Sequence, residues 1–502
     1  MIAAESWIIV PVMAPLAAAL LSFLLRRGSA AICLTATGFN ILAVGVLIAG
    51  FIAGGPTRYD IGGWSPPLGI SLAVDGPSLI MLVITGLVGI GISLYGWGYF
   101  SLRIKEPVRI GRPERQESFF WPLWMLQLTG LNALFLSNDI FNLYVTLELI
   151  GISAAALASL SGKRASLVAA LRYLLVSLLG SLSYLLGVVF IYKTYGVLNL
   201  DLLQATAQAD PGVIAALAVM SAGLLLKTAL FPMHFWLPPA HANALAPVSS
   251  ILSGLVVKGS FFLLFRLWFD IFAAALPGAA FEFMGLLGAG GVIWGGLQAL
   301  RQKRLKLLIA YSTVSQLGYL FIAFPLAFAG GTREAWSAVL FMAAGHACAK
   351  IAMFMVAGTI LLHIRHDRIK ELAGIRAYLP ITCFAYATAG VNLIGLPPSG
   401  GFVAKWMMLI AALSTGQWLW ALVLLAGSLL AAAYVFKVVS QLFVIPPGAP
   451  VFTRHRRAWL LEWPALVLAV ISLLMGLAAP YPLHLLGAGT VPQLVSFLGG
   501  IP

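Results

Sequence analysis

Four lysines and one glutamate lie inside long apolar segments, where charged side chains are rarely found. They are Lys227, Lys258, Lys350, Lys405 and Glu148. A charge at the centre of a lipid bilayer opposes insertion by roughly 2.5–3.5 kcal/mol, so such residues are usually functional. One glutamate can neutralise one lysine, and the remaining amines must then be neutral at times or contact water. Amines that gain and lose a proton as a coupled set are what a proton relay needs.

Three histidines lie within or beside the same segments, namely His234, His241 and His346. Imidazole titrates near neutral pH, so each of them can bridge a gap between lysines. A single membrane histidine can equally be a hydrogen-bonding group between packed helices, and the sequence leaves both interpretations open. His346 and Lys350 are four residues apart, which places them on one face of a helix and favours the relay for that pair.

The composition indicates that these segments cross a lipid bilayer. The chain of 502 residues is 61% apolar and 9% charged, with a mean hydropathy of +0.99, whereas a soluble domain carries about 25% charged residues. The apolar runs predict an all-α integral membrane protein with about 14 transmembrane helices. The predicted spans are 6–25, 30–54, 78–100, 119–137, 139–160, 166–192, 213–231, 243–267, 280–300, 306–328, 335–362, 380–413, 417–444 and 460–480.

Two of the lysine-bearing spans are interrupted by proline and glycine. The interrupting residues are Pro232 in span 7 and Pro397, Pro398 and Gly400 in span 12. Proline removes a backbone donor and clashes with the preceding turn, so both helices are predicted to break inside the bilayer. The backbone groups that a break releases survive there only where they line a cavity or pack against protein.

The two breaks occupy matching positions in the two halves of the chain. The lysine precedes the break in span 7 and follows it in span 12, which indicates inverted repeats. We predict that spans 4–8 and 9–13 form these repeats, because an odd number of spans turns the second unit upside down. The expected divisions are 1–118 (helices 1–3 and a cytoplasmic loop), 119–270 and 278–444 (the repeats), and 445–502 (helix 14 and a tail).

The net charge of +14 is interpreted as a membrane topology signal rather than as a sign of nucleic acid. Twenty of the 30 lysines and arginines, Lys306 among them, lie in loops that follow odd-numbered spans, and three lie in the even-numbered loops. Basic loops stay in the cytoplasm. The asymmetry therefore predicts a multi-pass protein of the cell (inner) membrane with both termini on the non-cytoplasmic side. Arg172, Arg266 and Lys437 lie close enough to span ends to reach the membrane surface.

The sequence gives little support for enzymatic catalysis, metal binding or nucleotide binding. The three cysteines lie far apart in apolar runs, and the sequence contains no catalytic triad pattern, metal-ligand spacing or phosphate-binding loop. We therefore expect no cofactor, no bound metal and no catalytic site. The chain is interpreted as a transporter subunit and not as an enzyme in its own right.

Seven strings spread over the chain form a familiar pattern. They are GGWSPPLGISLAVD (62–75), GLNALFLSNDIFNLYVTLELI (130–150), LKTALFPMHFWLPPAHA (226–242), RLKLLIAYSTVSQLGY (304–319), HACAK (346–350), DRIKELAGI (367–375) and GLPPSGGFVAKW (395–406). In order and spacing they resemble the antiporter-like subunits shared by Mrp-type multisubunit sodium/proton antiporters, respiratory complex I and membrane-bound hydrogenases. The resemblance covers nearly the whole chain.

The resemblance implies fourteen helices with inverted repeats, discontinuous helices 7 and 12, and a hydrated chain of charges across the membrane midplane. By position, Glu148 and Lys227 resemble the family's glutamate–lysine pair. Lys258 resembles the connecting lysine of helix 8, and Lys405 resembles the terminal lysine of helix 12. The histidine and lysine of HACAK match the central residues of helix 11.

Within the family, the strings at 62–75 and 367–375 most resemble the D-type subunits of Mrp antiporters. We therefore expect a subunit that translocates protons and Na⁺ or K⁺ together with other hydrophobic subunits in the lipid bilayer, without nucleic acid. One alternative is a proton-pumping subunit of a redox-driven complex, either NADH:quinone oxidoreductase or a membrane-bound hydrogenase. A second alternative, an independent solute transporter or lipid flippase, does not account for a line of lysines.

Overall fold

The computed structural model of the chain describes residues 4–105, 113–330, 333–444 and 458–487. Within them, 12 helices are long and apolar enough to cross a membrane. The other two predicted spans consist of shorter apolar helices, a pair for span 12 and a single helix for span 14. The predicted membrane fold, helical and with about fourteen crossings, is therefore confirmed.

The α-helices follow one another closely along the chain. They are α1 (Val10–Leu25), α2 (Ser29–Gly54), α3 (Gly76–Lys105), α4 (Pro113–Leu136), α5 (Ile140–Ser159), α6 (Arg164–Tyr195), α7 (Leu200–Thr206), α8 (Pro211–Thr228), α9 (Leu237–Asn243), α10 (Ala246–Ile251), α11 (Val257–Phe265), α12 (Gly278–Arg301), α13 (Leu305–Gly330), α14 (Arg333–Ile364), α15 (Pro380–Ile394), α16 (Gly400–Ser414), α17 (Trp418–Phe443), α18 (Trp459–Leu474) and α19 (Pro480–Leu485). Span 7 comprises α8 and α9, span 8 comprises α10 and α11, and span 12 comprises α15 and α16. Spans 9, 10 and 11 are α12, α13 and α14.

A small hairpin departs from the helical pattern between spans 2 and 3. Its strands, β1 (Thr57–Asp60) and β2 (Ser71–Val74), pair in antiparallel fashion. The side-chain hydroxyl of Ser71 accepts a hydrogen bond from the Asn199 amide at 3.0 Å. The hairpin thereby ties loop 2 to loop 6 outside the membrane spans.

Both predicted helix breaks are present. Helix α8 ends at Thr228, and Ala229 leaves the helix in a left-handed conformation with φ of 59°. Helix α15 ends at Ile394, and Gly395 has φ of 84° before α16 begins at Gly400. The predicted prolines lie in the two gaps. Each lysine of a broken span is therefore close to backbone groups that no helix satisfies.

A third irregularity, which the sequence analysis did not predict, lies in span 8. A π-helical turn, Leu252–Val256, separates α10 from α11. Such turns widen the hydrogen-bond ring to i→i+5 and are frequent at functional sites. The turn comes immediately before the segment that carries Lys258.

The start of helix α5, which carries Glu148, is held in place by an N-cap residue. The Asp139 carboxylate caps it by accepting from the backbone N–H groups of Phe141 (2.9 Å) and Asn142 (2.8 Å). Burial raises the pKa of this carboxyl, and the two backbone hydrogen bonds oppose that rise. The cap holds the start of α5 beside loop 6, where the Ile140 N–H donates to the Leu198 carbonyl at 2.9 Å.

The loops separate into two groups, as alternating crossings require. Loop 9 binds loop 11 through the Leu305 N–H and the Asp367 carbonyl at 2.7 Å. Loop 2 binds loop 6 through an ion pair of 2.8 Å between Arg58 and Asp201. Odd-numbered loops thus contact odd-numbered loops, and even-numbered loops contact even-numbered ones. We call the two surfaces the odd-loop face and the even-loop face.

The interior of the bundle is formed by spans 8, 10 and 11. The most apolar part of span 8 is 100% buried, and those of spans 10 and 11 are 89% buried, against 33% and 39% for the first two spans. The central spans therefore contact protein on nearly every side. Two of the predicted lysines, Lys258 and Lys350, lie on them.

Some predicted features fall outside the described residues. They are the basic residues Arg109, Arg112, Arg454, Arg456 and Arg457, and the tail from residue 488. The division into four segments stays a prediction.

Candidate functional site

All four lysines singled out in the sequence are buried. Their exposed fractions are 6% for Lys227, 1% for Lys258, 0% for Lys350 and 7% for Lys405. Each ammonium lies inside the helix bundle and not on its outer surface. The interior charge that the sequence predicted is therefore present in the fold.

Lys227 lies in the last turn of α8, directly before the break of span 7. Its Nζ donates to the carbonyl oxygens of Leu147 (3.2 Å) and Ser177 (3.3 Å) and to the hydroxyl of Ser181. The charge of the half-buried Glu148 acts on this amine. Among the described residues, however, no ion pair within 4.0 Å joins the two. The carboxylate influences Lys227 without fixing it in a contact pair.

Lys258 lies on α11, just after the π-helical turn. Its Nζ donates to the Ser253 carbonyl at 2.5 Å, a backbone oxygen within that turn. The Ser253 hydroxyl lies 2.9 Å from the Thr313 hydroxyl on α13. The irregular turn therefore supplies the acceptor for the lysine and joins span 8 to span 10.

A pair of hydroxyls joins the two spans that carry Lys227 and Lys258. The Thr228 hydroxyl, adjacent to Lys227 in sequence, donates to the Ser260 hydroxyl at 2.9 Å. A hydroxyl both donates and accepts hydrogen bonds. The two spans are thus connected by groups that can take part in a hydrogen-bonded chain.

Lys350 and His346 lie one helical turn apart on α14. The Nζ of Lys350 donates to the Ile309 carbonyl at 3.1 Å and to the Ser312 hydroxyl, both on α13. His346 is 3% exposed, and neither ring nitrogen has a partner among the described residues. The charges of Lys258, Lys350 and Lys405 all reach this imidazole. His346 therefore shares a buried helix face with Lys350.

Lys405 lies on α16, after the break of span 12. Its Nζ donates to the carbonyl oxygens of Leu393 (2.8 Å) and Ile394 (3.1 Å), which the end of α15 leaves free. The same ammonium lies 4.3 Å from the centre of the Tyr319 ring, a cation–π contact. Lys405 therefore has an aromatic neighbour where Lys227 has a carboxylate.

The two histidines of span 7 have different surroundings. His241, on α9, is within electrostatic reach of Lys258 and Lys350, and its ring stacks on Phe354 at 4.7 Å. His234 contacts the aromatic rings of Phe231 and Tyr311 instead. Of these two candidates, His241 is the one whose ring packs on α14, where Phe354 lies one turn from Lys350.

Two basic residues that were expected in a loop or at the membrane surface have different surroundings in the structure. Lys306 was counted among the loop residues but is 2% exposed, with its Nζ donating to the Ala244 carbonyl at 2.6 Å. Its place at the first position of the predicted span 10 was the available signal. Arg266 was expected to reach the membrane surface, but it is bound to Asp75 and, at 2.9 Å, to Asp270. Carboxylates close enough for an ion pair keep this guanidinium inside the even-loop face.

One acidic residue within a span also escaped the sequence analysis. Glu462, on α18, is 1% exposed and accepts a hydrogen bond from the Thr382 hydroxyl at 3.2 Å. Its position near the start of span 14 resembles an ordinary first-turn acid, so nothing in the sequence separated it from one.

The hydrogen-bond partners of the four lysines share one property. In the described residues, every acceptor within hydrogen-bond distance of these amines is a backbone carbonyl or a hydroxyl. A neutral acceptor permits the amine to lose its proton without leaving an unpaired buried carboxylate. The arrangement is suited to moving protons and provides no nucleophile–base pair.

Comparisons with known proteins agree with this geometry. Residues 137–431 match the family model described as "NADH:quinone oxidoreductase/Mrp antiporter, TM". The chain is 34% identical to the N-type subunit of NADH-quinone oxidoreductase from Desulforudis audaxviator, with 94% of each chain covered. It is 25% identical to the D-type subunit of the Na(+)/H(+) antiporter from Bacillus subtilis, with 95% of each covered. A chain in the structure of the Mrp complex from a Dietzia species superposes with a TM-score of 0.84 at 24% identity, with 97% of each chain covered.

Proposed function

Because the chain belongs to the NADH:quinone oxidoreductase/Mrp antiporter family, we propose that it moves protons through the membrane along its line of buried lysines. It is an antiporter-like membrane subunit, a transporter component rather than a catalytic one. Related chains occur in multisubunit membrane complexes, and other membrane subunits are its expected partners. The observation that carries the proposal is a set of four buried lysines whose hydrogen-bond acceptors, within the part of the chain that the structure describes, are all neutral.

The proposed route runs from Lys227 to Lys405. Glu148 controls the charge of Lys227, since a carboxylate that moves or takes up a proton changes the stability of a neighbouring ammonium. The proton then passes through Lys258, His346 and Lys350 to Lys405. Lys405 exchanges protons with one side of the membrane. Two observations support this order: the hydroxyl pair of Thr228 and Ser260 joins spans 7 and 8, and the charges of Lys258, Lys350 and Lys405 act on His346.

Replacing Lys227 or Glu148 with alanine tests the proposal. Each change is expected to lower proton-coupled transport in membrane vesicles about 100-fold, because the first amine of the route is lost or loses its control. Arg172→Ala is the control, since this arginine is exposed on α6 and lies outside the route. Co-purification of the other subunits monitors assembly. Wild-type transport by both alanine variants would contradict the relay.

The first candidate for the assembly is an Mrp-type antiporter that exchanges protons for Na⁺ or K⁺, with this chain as the D-type subunit. The strings at 62–75 and 367–375 support it, as does the similarity over 95% of the D-type subunit from Bacillus subtilis. The second candidate is a redox-driven proton pump such as NADH:quinone oxidoreductase. The 34% identity to an N-type subunit supports that candidate, with the redox chemistry carried by partner subunits.

Purification from the native membrane is expected to separate the two candidates. Small hydrophobic subunits that elute with the chain indicate the antiporter, and iron–sulfur proteins indicate the redox complex. Mass spectrometry of the purified assembly identifies either set. Full transport by the isolated chain in liposomes would contradict both candidates, because each of them requires partners.

The proposed orientation places the odd-loop face in the cytoplasm of a cell whose inner membrane holds the protein. Both termini then lie outside the cytoplasm. The basic residues support this orientation, since 20 of 30 lie in odd-numbered loops.

A further inference from the structure

A fifth lysine is buried at the odd-loop face, outside the route described above. Lys306 lies in the first turn of α13 with 2% of its surface exposed, and its Nζ donates to the Ala244 carbonyl at 2.6 Å. Ala244 follows the end of α9, three residues after His241. A lysine at a helix start commonly extends into water. This one turns inward, towards a helix that carries a histidine.

His241 packs against the helix that carries Lys350. Its ring stacks on Phe354, one turn from Lys350 on α14, with the ring centroids 4.7 Å apart. It is completely buried, and neither ring nitrogen has a partner among the described residues. The charges of Lys306, Lys350 and Lys258 all reach its ring. A buried polar group without a protein partner is unusual and calls for an explanation such as water or a functional role. An imidazole that three lysines act on is suited to exchange protons with them.

A carboxylate faces Lys306 from the neighbouring loop. Asp367 is 3% exposed and accepts from the Arg304 guanidinium at 2.9 Å and from the Lys306 backbone N–H at 3.3 Å. The charged groups that act on the Lys306 amine are Asp367, Arg304 and Lys163. A buried amine with a carboxylate close by, but not in contact with it, repeats the arrangement of Lys227 and Glu148.

We propose that Lys306, with Asp367 beside it, takes up protons at the odd-loop face and passes them through His241 to Lys350. The inference rests on the proposed function, to which it adds a connection between the central lysines and one membrane surface. Lys306 and Ser312, which accepts from Lys350, are six residues apart on α13, or about 9 Å along the helix axis.

The competing explanation is a structural helix cap. Lysines often donate to the free carbonyls at a helix C-terminus, and Lys306 does so at α9. Lys437 does the same at α12, where its Nζ donates to the carbonyls of Leu300 (2.6 Å) and Gln302 (2.7 Å). Lys437 also lies at the odd-loop face but is only partly buried. It therefore provides a matched control in which the cap exists without the histidine.

Substitution by arginine distinguishes a cap from a proton carrier. Arginine keeps the charge and the donors but does not release its proton in proteins. In vesicles that contain the complete complex, Lys306→Arg is expected to assemble and to lower proton-coupled transport about 10-fold or more. Lys437→Arg is expected to leave transport unchanged. Wild-type transport by Lys306→Arg would overturn the proposal, because a cap tolerates arginine.

A second variant keeps the lysine in place. Asp367→Asn retains an acceptor oxygen for Arg304 but removes the negative charge beside the amine, and transport is expected to fall about 10-fold. Unchanged transport by this variant contradicts the proposal. If neither Lys306→Arg nor Asp367→Asn assembles while Lys437→Arg does, the two residues serve folding and the proposal is overturned.

The same vesicles separate this proposal from the one on which it rests. If Lys227→Ala abolishes transport and Lys306→Arg does not, the uptake site alone is wrong. If neither variant lowers transport, the lysine relay itself is wrong.

Discussion

Replacing Lys350 with methionine is expected to lower proton-coupled transport about 100-fold and to leave the assembly intact. Lys350 is completely buried, and its amine is the centre of the proposed route, bound to two acceptors on α13. Methionine fills a similar volume without a titratable group. The Ser312 hydroxyl also donates to the Ile309 carbonyl at 2.9 Å, so the loss of the ammonium leaves it satisfied.

The stability of this variant follows from the cost of burying charge. Exchanging a buried charged group for an apolar one of similar volume is often neutral or stabilising. The measurement is proton uptake into membrane vesicles, with the amount of assembled complex determined in parallel. Lys437→Met makes the same chemical change at a partly buried lysine outside the route and is expected to transport normally. If Lys350→Met and Lys437→Met transported protons at equal rates, Lys350 would not be part of the pathway.

Replacing Gly401 with alanine is expected to destabilise the protein by about 3 kcal/mol. Gly401 lies in the first turn of α16, and a Cβ atom added there would lie 1.9 Å from the Asn392 carbonyl oxygen on α15. Because the obstructing atom belongs to the backbone, the two halves of span 12 would have to separate. Lys405 would then lose its acceptors at the end of α15, so transport is expected to fall as well.

The thermal unfolding midpoint of the detergent-purified complex, followed by size-exclusion chromatography, measures this effect. Gly38→Ala on α2 is the control, since a Cβ atom there meets nothing within 4 Å and the position is exposed. Alanine in a helix interior is favoured over glycine by roughly 0.5–1 kcal/mol, so the control is expected to unfold at or slightly above the wild-type temperature. A Gly401→Ala protein as stable as the control would mean that the halves of span 12 do not pack as the structure has them.

The features that could be predicted from the sequence are those in which a residue type is unusual for the segment that contains it. A lysine in an apolar run is improbable unless it has a function, and Pro397 next to Pro398 cannot continue a helix. These contradictions identified the four lysines and both breaks. The number of crossings was predictable for a similar reason, because basic residues alternate between odd-numbered and even-numbered loops.

The features that could not be predicted depend on contacts between distant segments. The π-helical turn at Leu252–Val256 consists of residues that are compatible with an α-helix, and the acceptor it offers to Lys258 is visible only in three dimensions. The burial of Lys306 results from the packing of loop 11 against loop 9. The hairpin between spans 2 and 3 has strands of only four residues, shorter than periodicity can identify.

The π-helical turn gives span 8 a place where the chain length can change without changing the direction of Lys258. Each residue of an α-helix advances the chain by about 100° around the axis, and the widened ring of a π-helical turn holds one residue more than an α-helical ring. Removing one residue from 252–256 is therefore expected to return the turn to α-helix and to keep the direction of the lysine, while closing the ring whose Ser253 carbonyl accepts from it. Removing one residue from α10 instead would rotate Lys258 by about 100° relative to the start of span 8.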